Sequence, residues 1–355
     1  MIGLIVSCVC GLGVLFYVAT HPHYGQLPTS WKTISYSCLD EDGKPVDSWT
    51  ALKAEGSYNY YMYNSESSAY WDKSPYSLDQ QTTSHGAIMR TMQQIYKSAD
   101  NSLMTAIYND EPPAGKDASE TYAHAKGILV ASANGEAGNG FWLVHSMPKW
   151  PQELSADSAG PLPSNDFAQS FTCVTVTADT ADSIAANLML DRVYIYDSRI
   201  PGTSDVARYL PNFFTLISDD HGRAKRTSTT TSVLSFMSLA GKEYYQFAKS
   251  GKWGKDLWDD LIAPYFHMSM NVETWRDGVG GRMGSRCPAE DGLDVNMIST
   301  ITMPGGTSWD GTRDHSKVSP IFSLIFFSLT FTNASIRDHV LIIIVLYTVG
   351  YFIIY

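Results

Sequence analysis

The sequence predicts an α/β or α+β fold built as two similar lobes, and three observations lead there. Apolar residues make up 44% of the 355 and charged residues 17%, with 27 Gly and 16 Pro. That composition is globular and excludes disorder, coiled coil and collagen. Strand-like and helix-like stretches are interspersed along the chain. One local pattern also occurs once in each half: an apolar strand, a proline, a polar loop, and His-x-Lys eleven residues after the proline.

Taken in order, the chain opens with Ile2–Val18, an uncharged apolar run that His21, Pro22 and His23 end. Residues 1–19 read as a signal peptide with Ala19 its last residue. The alternative is an uncleaved anchor, for which the run is short. Either way the body enters the secretory route. Cys8 and Cys10 leave with the signal, and Cys38, Cys173 and Cys287 remain, an odd number for an oxidising compartment.

Leu103–Tyr108 is a strand entering the loop Asn-Asp-Glu-Pro-Pro. Gly127–Ala133 and Gly140–Ser146 are strands joined by the Gly/Asn-rich Asn134–Asn139, a hairpin. Thr172–Thr177 is a further strand and Ser183–Leu190 a helix. In Ser232–Lys249 apolar residues recur three and four apart, which predicts a helix. Asp256–Phe266 reads as a second helix and Val295–Met303 as a strand. The lobes are expected at 20–182 and 183–317.

The tail, 318–355, changes character. Apart from His it has only Arg337 and Asp338 as charges, with two apolar runs, Ile321–Phe331 and Val340–Tyr355. Each run is short for a membrane span. A lipid-anchor site at Asn333, Ala334 and Ser335 would have too short a spacer. Val318-Ser319 can be encoded by GTGAGT, which matches a splice donor. The tail is therefore read as a retained intron foreign to the fold, and membrane association is expected only through it.

Lys and Arg number 25 against 36 Asp and Glu, a formal charge of −11. Such a protein does not hold a polyanion by bulk attraction at neutral pH. Its nine histidines, all protonated, would bring the charge to −2, so the obstacle weakens in an acidic compartment.

The repeated pattern is where chemistry concentrates. His124-Ala125-Lys126 follows Pro113, and His315-Ser316-Lys317 follows Pro304. On a strand, residues i and i+2 share a face, so each His aims where its Lys aims. Two imidazoles across a cleft can divide phosphodiester cleavage. One attacks phosphorus, and the other protonates the leaving alkoxide and then activates water. The lysines would neutralise the non-bridging oxygens. The bland alternative is a surface histidine and a solvated lysine at each place. No His or Cys spacing reads as a metal site, so neither metal nor cofactor is expected.

These residues resemble the deoxyribonuclease II family. His124-Ala-Lys-Gly followed by Gly140-Phe-Trp-Leu-Val-His-Ser-Met-Pro resembles its first active-site region, and Asp314-His-Ser-Lys its second. Ser37-Cys-Leu-Asp-Glu-Asp-Gly-Lys-Pro-Val-Asp-Ser-Trp, Tyr108-Asn-Asp-Glu-Pro-Pro and Gln169-Ser-Phe-Thr-Cys173 fit as well. The resemblance implies a phospholipase-D-like fold, two pseudo-symmetric lobes that are each a β-sheet flanked by helices. It implies a secreted or lysosomal acid endonuclease that cuts DNA without metal and leaves 3′-phosphates. It makes His124 and His315 the catalytic pair, with Lys126 and Lys317 beside them. His145 matches the family's third histidine, which either orients its neighbours or acts directly. Cys38 and Cys173 match the family's disulfide, which leaves Cys287 without its usual partner.

Two departures stand out. The chain leaves the family pattern after Lys317, and Ser132 stands where the family has an acidic residue six positions after the lysine. DNA is the expected substrate, and a homodimer is allowed. The competing reading is a catalytically impaired secreted relative that binds DNA or a host partner through the same cleft.

Overall fold

The computed structural model describes residues 36–66, 71–79, 85–96, 98–113, 122–132, 138–163, 166–202, 205–218, 228–273, 284–287, 292–317, 319 and, for the backbone, 343–345. The expected signal 1–19, most of the 134–139 connection and most of the 318–355 tail lie outside these residues.

The elements run in chain order. They begin β1 (Cys38–Leu39), β2 (Pro45–Val46), β3 (Ser48–Lys53), β4 (Asn59–Asn64), β5 (Asp72–Ser77) and α1 (Ala87–Gln93). Next come β6 (Leu103–Asn109), β7 (Lys126–Ser132), β8 (Asn139–His145), β9 (Gln169–Thr177), α2 (Ala178–Asp191) and β10 (Ile195–Arg199). The second half has α3 (Val206–Tyr209), α4 (Pro211–Ser218), β11 (Thr231–Met237), β12 (Glu243–Lys249) and α5 (Ala263–Phe266). Short strands follow: β13 (Met270–Val272), β14 (Val295–Met297), β15 (Thr300–Thr302), β16 (Ser308–Asp310) and β17 (Ile343–Val345).

The architecture is α+β and is dominated by one antiparallel sheet of eight strands, in the order β10-β6-β7-β8-β9-β3-β4-β5. β6 and β7 are buried at every position, because both faces of the sheet are covered. On one face Trp49, Ile128, Leu143 and Phe171 pack with α1 and with Met147, Trp150 and Leu162 of the long connection after β8. The Cys38–Cys173 disulfide lies in this layer, with Cα atoms 5.8 Å apart, and closes the N-terminal segment onto the middle of β9. On the other face Leu129, Trp142 and Val174 pack under α2, α4 and the β11–β12 hairpin. Gly127 is glycine for a steric reason, since a Cβ there would lie 2.3 Å from the Tyr108 hydroxyl.

α2 begins where Thr177 accepts the Thr180 N–H at its N-cap and ends at Arg192 in the left-handed conformation, φ 66°. It contains the predicted helix Ser183–Leu190 and runs through the boundary expected between 182 and 183. The hairpin turn after β11 is tied to the large sheet by Asp47, whose carboxylate accepts from Ser238 Oγ and Ala240 N at 2.8 Å each.

Three local expectations change. The helix predicted over Ser232–Lys249 is the β11–β12 hairpin, paired from Thr231↔Lys249 to Met237↔Glu243. Spacings of three and four also occur in alternating strands, and the sequence turns at Gly241, φ 84°, which a helix would not accommodate. The helix Asp256–Phe266 is divided into a wide turn over Trp258–Ile262 and the short α5, since Pro264 cannot donate to the preceding turn. The strand Val295–Met303 is two strands: β14 lies parallel to β13, and β15 antiparallel to β16. Of the tail, Ile343–Val345 lies parallel to β12 opposite Tyr245–Phe247. Cys287 is an exposed thiol outside any disulfide, 3.3 Å from Asp294 Oδ2.

Candidate active site

β6 ends, β7 begins, β8 ends and β9 begins at the same end of the sheet. Asn109 is opposite Lys126, Lys126 opposite His145, and His145 opposite Phe171. Side chains alternate across the pleat, so Lys126 and His145 share the face of Ile128 and Leu143 and stand side by side.

Just past β6, Asp110 becomes the centre of the first motif. One carboxylate oxygen is 2.5 Å from His124 Nδ1 and the other 2.5 Å from Lys126 Nζ. The placement comes from Asn109. Its Oδ1 accepts the Glu111 N–H at 2.8 Å, and its Nδ2 donates to the carbonyls of Trp150 and Met147. That fixes the bend that turns Asp110 toward β7. Lys126 is only 4% exposed and also lies 3.5 Å from Glu111 Oε1.

The second motif is not on a strand. Ala168 donates its N–H to the Arg313 carbonyl and accepts the His315 N–H at 3.0 Å, so the segment docks beside the start of β9. Buried Asp314 accepts from Trp309 Nε1 and from the Ser316 N–H, 2.7 Å each, which bends the chain between His315 and Lys317. His315 stacks on Phe167 with ring centroids 4.2 Å apart, and Lys317 Nζ donates to the His315 carbonyl at 2.7 Å. Beneath them the ammonium of buried Lys53 donates to the Phe167 carbonyl at 2.8 Å.

The two motifs act on each other electrostatically. Burial and then the Lys126 charge push His124 down to about 4, against Asp110, and Lys317 adds to the push. Burial, Lys317, Lys126 and His124 push His315 down to about 3. Burial and Lys126 lower Lys317 to about 7, which Asp110, Asp314 and Glu111 partly offset. Burial would raise Asp110, but Lys126 and His124 prevail and hold its carboxyl well below the usual range. In mild acid both imidazoles of the free protein are therefore neutral, and Lys317 is the group that loses its proton near neutrality.

His145 is 5% exposed, between Trp150 at 5.0 Å and Phe171 at 5.9 Å. Burial, then Lys126, lowers it to about 3. Among the described residues neither of its ring nitrogens makes a hydrogen bond of good geometry. It packs behind Lys126, in the aromatic layer under the site.

Ser132, where an acidic partner for His124 and Lys126 was expected to be missing, lies at the far end of β7 and hydrogen-bonds Ser102 at 2.9 Å. Six residues of strand separate it from Lys126 by roughly 20 Å, so no side chain there reaches the motif. Asp110 supplies the carboxylate instead. Asp110, Glu111 and His124 present ligand atoms within 4.8 Å of one another, a set that could hold a metal ion. The Lys126 ammonium already lies against both carboxylates.

The arrangement gathers two imidazoles and two lysines at one end of the sheet, side chains that could bind an oxyanion and carry acid–base or covalent chemistry. Residues 37–320 match the family model for deoxyribonuclease II, and the chain belongs to that family. Plancitoxin-1 of Acanthaster planci is 31% identical over 79% of this chain and 78% of its own length. Deoxyribonuclease-2-alpha of Mus musculus is 29% identical over 79% of each chain. Cell death-related nuclease 6 of Caenorhabditis elegans is 28% identical over 81% of this chain and 76% of its own. The membership supports a nuclease of the deoxyribonuclease II kind. Among the described residues no helix is long and apolar enough to cross a membrane.

Proposed function

We propose that this protein is an acid DNA endonuclease that hydrolyses phosphodiesters through a histidine pair, without metal, and leaves 3′-phosphates. The observation that carries the reading is the Asp110 carboxylate on His124 Nδ1, which favours the proton there and the lone pair on Nε2, with Lys126, Lys317 and His315 in electrostatic reach. In the first step His124 Nε2 attacks phosphorus. The P–O5′ bond breaks, and the 5′-oxygen leaves with a proton from His315, which the approaching phosphate helps to charge. In the second step His315 takes a proton from water. The hydroxide displaces His124, giving the 3′-phosphate and restoring both imidazoles. Lys126 and Lys317 neutralise the non-bridging oxygens throughout.

The family resemblance supports a phospholipase-D-like pairing of lobes, one His-x-Lys from each. The apolar run 2–18 and the Cys38–Cys173 bridge support secretion or a lysosomal destination. The test is nicking of supercoiled plasmid across acid and neutral pH with EDTA present, for wild type, His124→Ala and His315→Ala. End labelling identifies the phosphate's position. Cleavage that survives EDTA, fails in both variants and leaves 3′-phosphates is expected. Loss with EDTA, or 5′-phosphate ends, overturns the reading. DNA binding without cleavage favours the impaired relative.

A further inference from the structure

The two motifs share a feature that the chemistry above does not use. Two residues before His124 stands Tyr122, and the guanidinium of Arg192 lies over its ring, 5.1 Å from the centroid. Two residues before His315 stands Arg313, and its guanidinium lies over Phe167, 4.6 Å from the centroid. Each motif thus has an arginine stacked on an aromatic ring beside it: at the first the ring stands two residues before the histidine, at the second the arginine does. The elements involved are unrelated. Arg192 is the C-cap of α2, and its carbonyl accepts the Ala123 N–H at 3.0 Å. Arg313 precedes the docked second motif, where its carbonyl accepts the Ala168 N–H.

We propose that Arg192 and Arg313 form a two-ended clamp for the phosphates of a DNA strand on either side of the scissile bond. The assignment rests on the nuclease reading and extends it to the neighbouring nucleotides. The charge pattern supports it. In a chain of net charge −11, the Arg192 guanidinium has no carboxylate partner among the described residues. Arg313 uses Nε on Glu55 Oε1, 2.7 Å away, yet its side chain is still 42% exposed. Stacking flattens a guanidinium against its ring and leaves the edge donors for a phosphate. Both lie next to their motifs: Arg313 is two residues from His315, at most roughly 7 Å of extended chain, and the Arg192 carbonyl holds Ala123, the neighbour of His124. A clamp of this kind makes the site prefer polymer over isolated diester.

Two measurements test it. Binding of fluorescein-labelled duplex DNA is followed against salt in the His124→Ala background, without and with Arg192→Ala and Arg313→Ala. Each arginine change should make the log–log salt slope shallower by about 0.9, one phosphate contact. Arg→Lys should keep most of the slope. In the uncompromised enzyme, the ratio of kcat/KM on long DNA to that on bis(4-nitrophenyl) phosphate should fall roughly tenfold or more per arginine. If the protein binds and cuts DNA while slope and ratio are unchanged in both variants, the clamp is wrong and the nuclease reading stands. If DNA is bound but not cut and the slopes still flatten, the nuclease reading fails and the clamp stands. If DNA is not bound at all, both fail.

Discussion

Replacing Asp110 by Asn keeps size and shape and removes one charge, and it should disable the first motif more than it destabilises the fold. Two charge-assisted bonds end on this carboxylate, each 2.5 Å long. Bonds of that type contribute about 1.5–3 kcal/mol each. The fold loses only part of the sum, because the amide oxygen still accepts from Lys126 and Glu111 Oε1 lies 3.5 Å away. Leaving a buried cation with a weakened partner costs about 2–4 kcal/mol, read as a lower melting temperature. Catalysis suffers through the tautomer. An amide N–H facing Nδ1 makes that nitrogen the acceptor and moves the ring proton to Nε2, the atom that must attack. By analogy with the serine-protease triad, where the same substitution puts the histidine in the wrong tautomer, kcat should fall about a hundred- to ten-thousand-fold. Asp110 also raises His124 against burial, so its loss should shift the acid limb of the profile to lower pH. Asp110→Glu should recover part of the rate. An Asp110→Asn enzyme within about tenfold of wild-type kcat, with an unmoved acid limb, refutes the positioning role.

Other outcomes follow from the same geometry. In the free enzyme kcat/KM should be highest in acid: it falls at low pH as His124 gains the proton that blocks attack, declines toward neutrality as fewer molecules carry the His315 proton, and has a further upper limb near pH 7 as Lys317 loses its charge. Lys317→Arg, which stays charged, should carry the upper limb to higher pH; an unmoved limb would mean that another group sets it. Replacing Cys38 and Cys173 by Ala opens a link across 135 residues and should cost about 2–5 kcal/mol in denaturant unfolding, with no change if the N-terminal segment is held by packing alone. A chain ending at Lys317 should be at least as soluble as the full chain by light scattering; if it unfolds instead, the pairing of Ile343–Val345 with β12 is needed to close the second sheet.

The two candidate motifs were legible because their spacing is local. His124 and Lys126 are two apart beside a strand, and His315 and Lys317 repeat that spacing. The carboxylate between them was not legible. Asp110 lies fourteen residues before His124, and only the antiparallel pairing of β6 with β7 brings it there. The sequence did contain a trace, two acids directly after a strand in Asn-Asp-Glu-Pro-Pro. Phe167 and Lys53 had none, since their roles arise where β3, β9 and the second motif meet across more than a hundred residues. The Ser232–Lys249 stretch misled because a short apolar run fits both a helix period and an alternating strand. The lowered pKa values of His124 and His315 were not legible for a related reason, since burial is a property of packing.

The distribution of basic side chains in this molecule has a kinetic consequence. Acids outnumber bases over the whole chain, while Lys126, Lys317, Arg192 and Arg313 gather at one end of one sheet. At physiological ionic strength fields decay over about 8 Å. A polyanion meets repulsion at long range and attraction only once it has entered the site. For the nuclease proposed above, attraction confined to the site would favour separate encounters over sliding. The pattern of digestion that would suit it is distributive, with breaks scattered among many molecules.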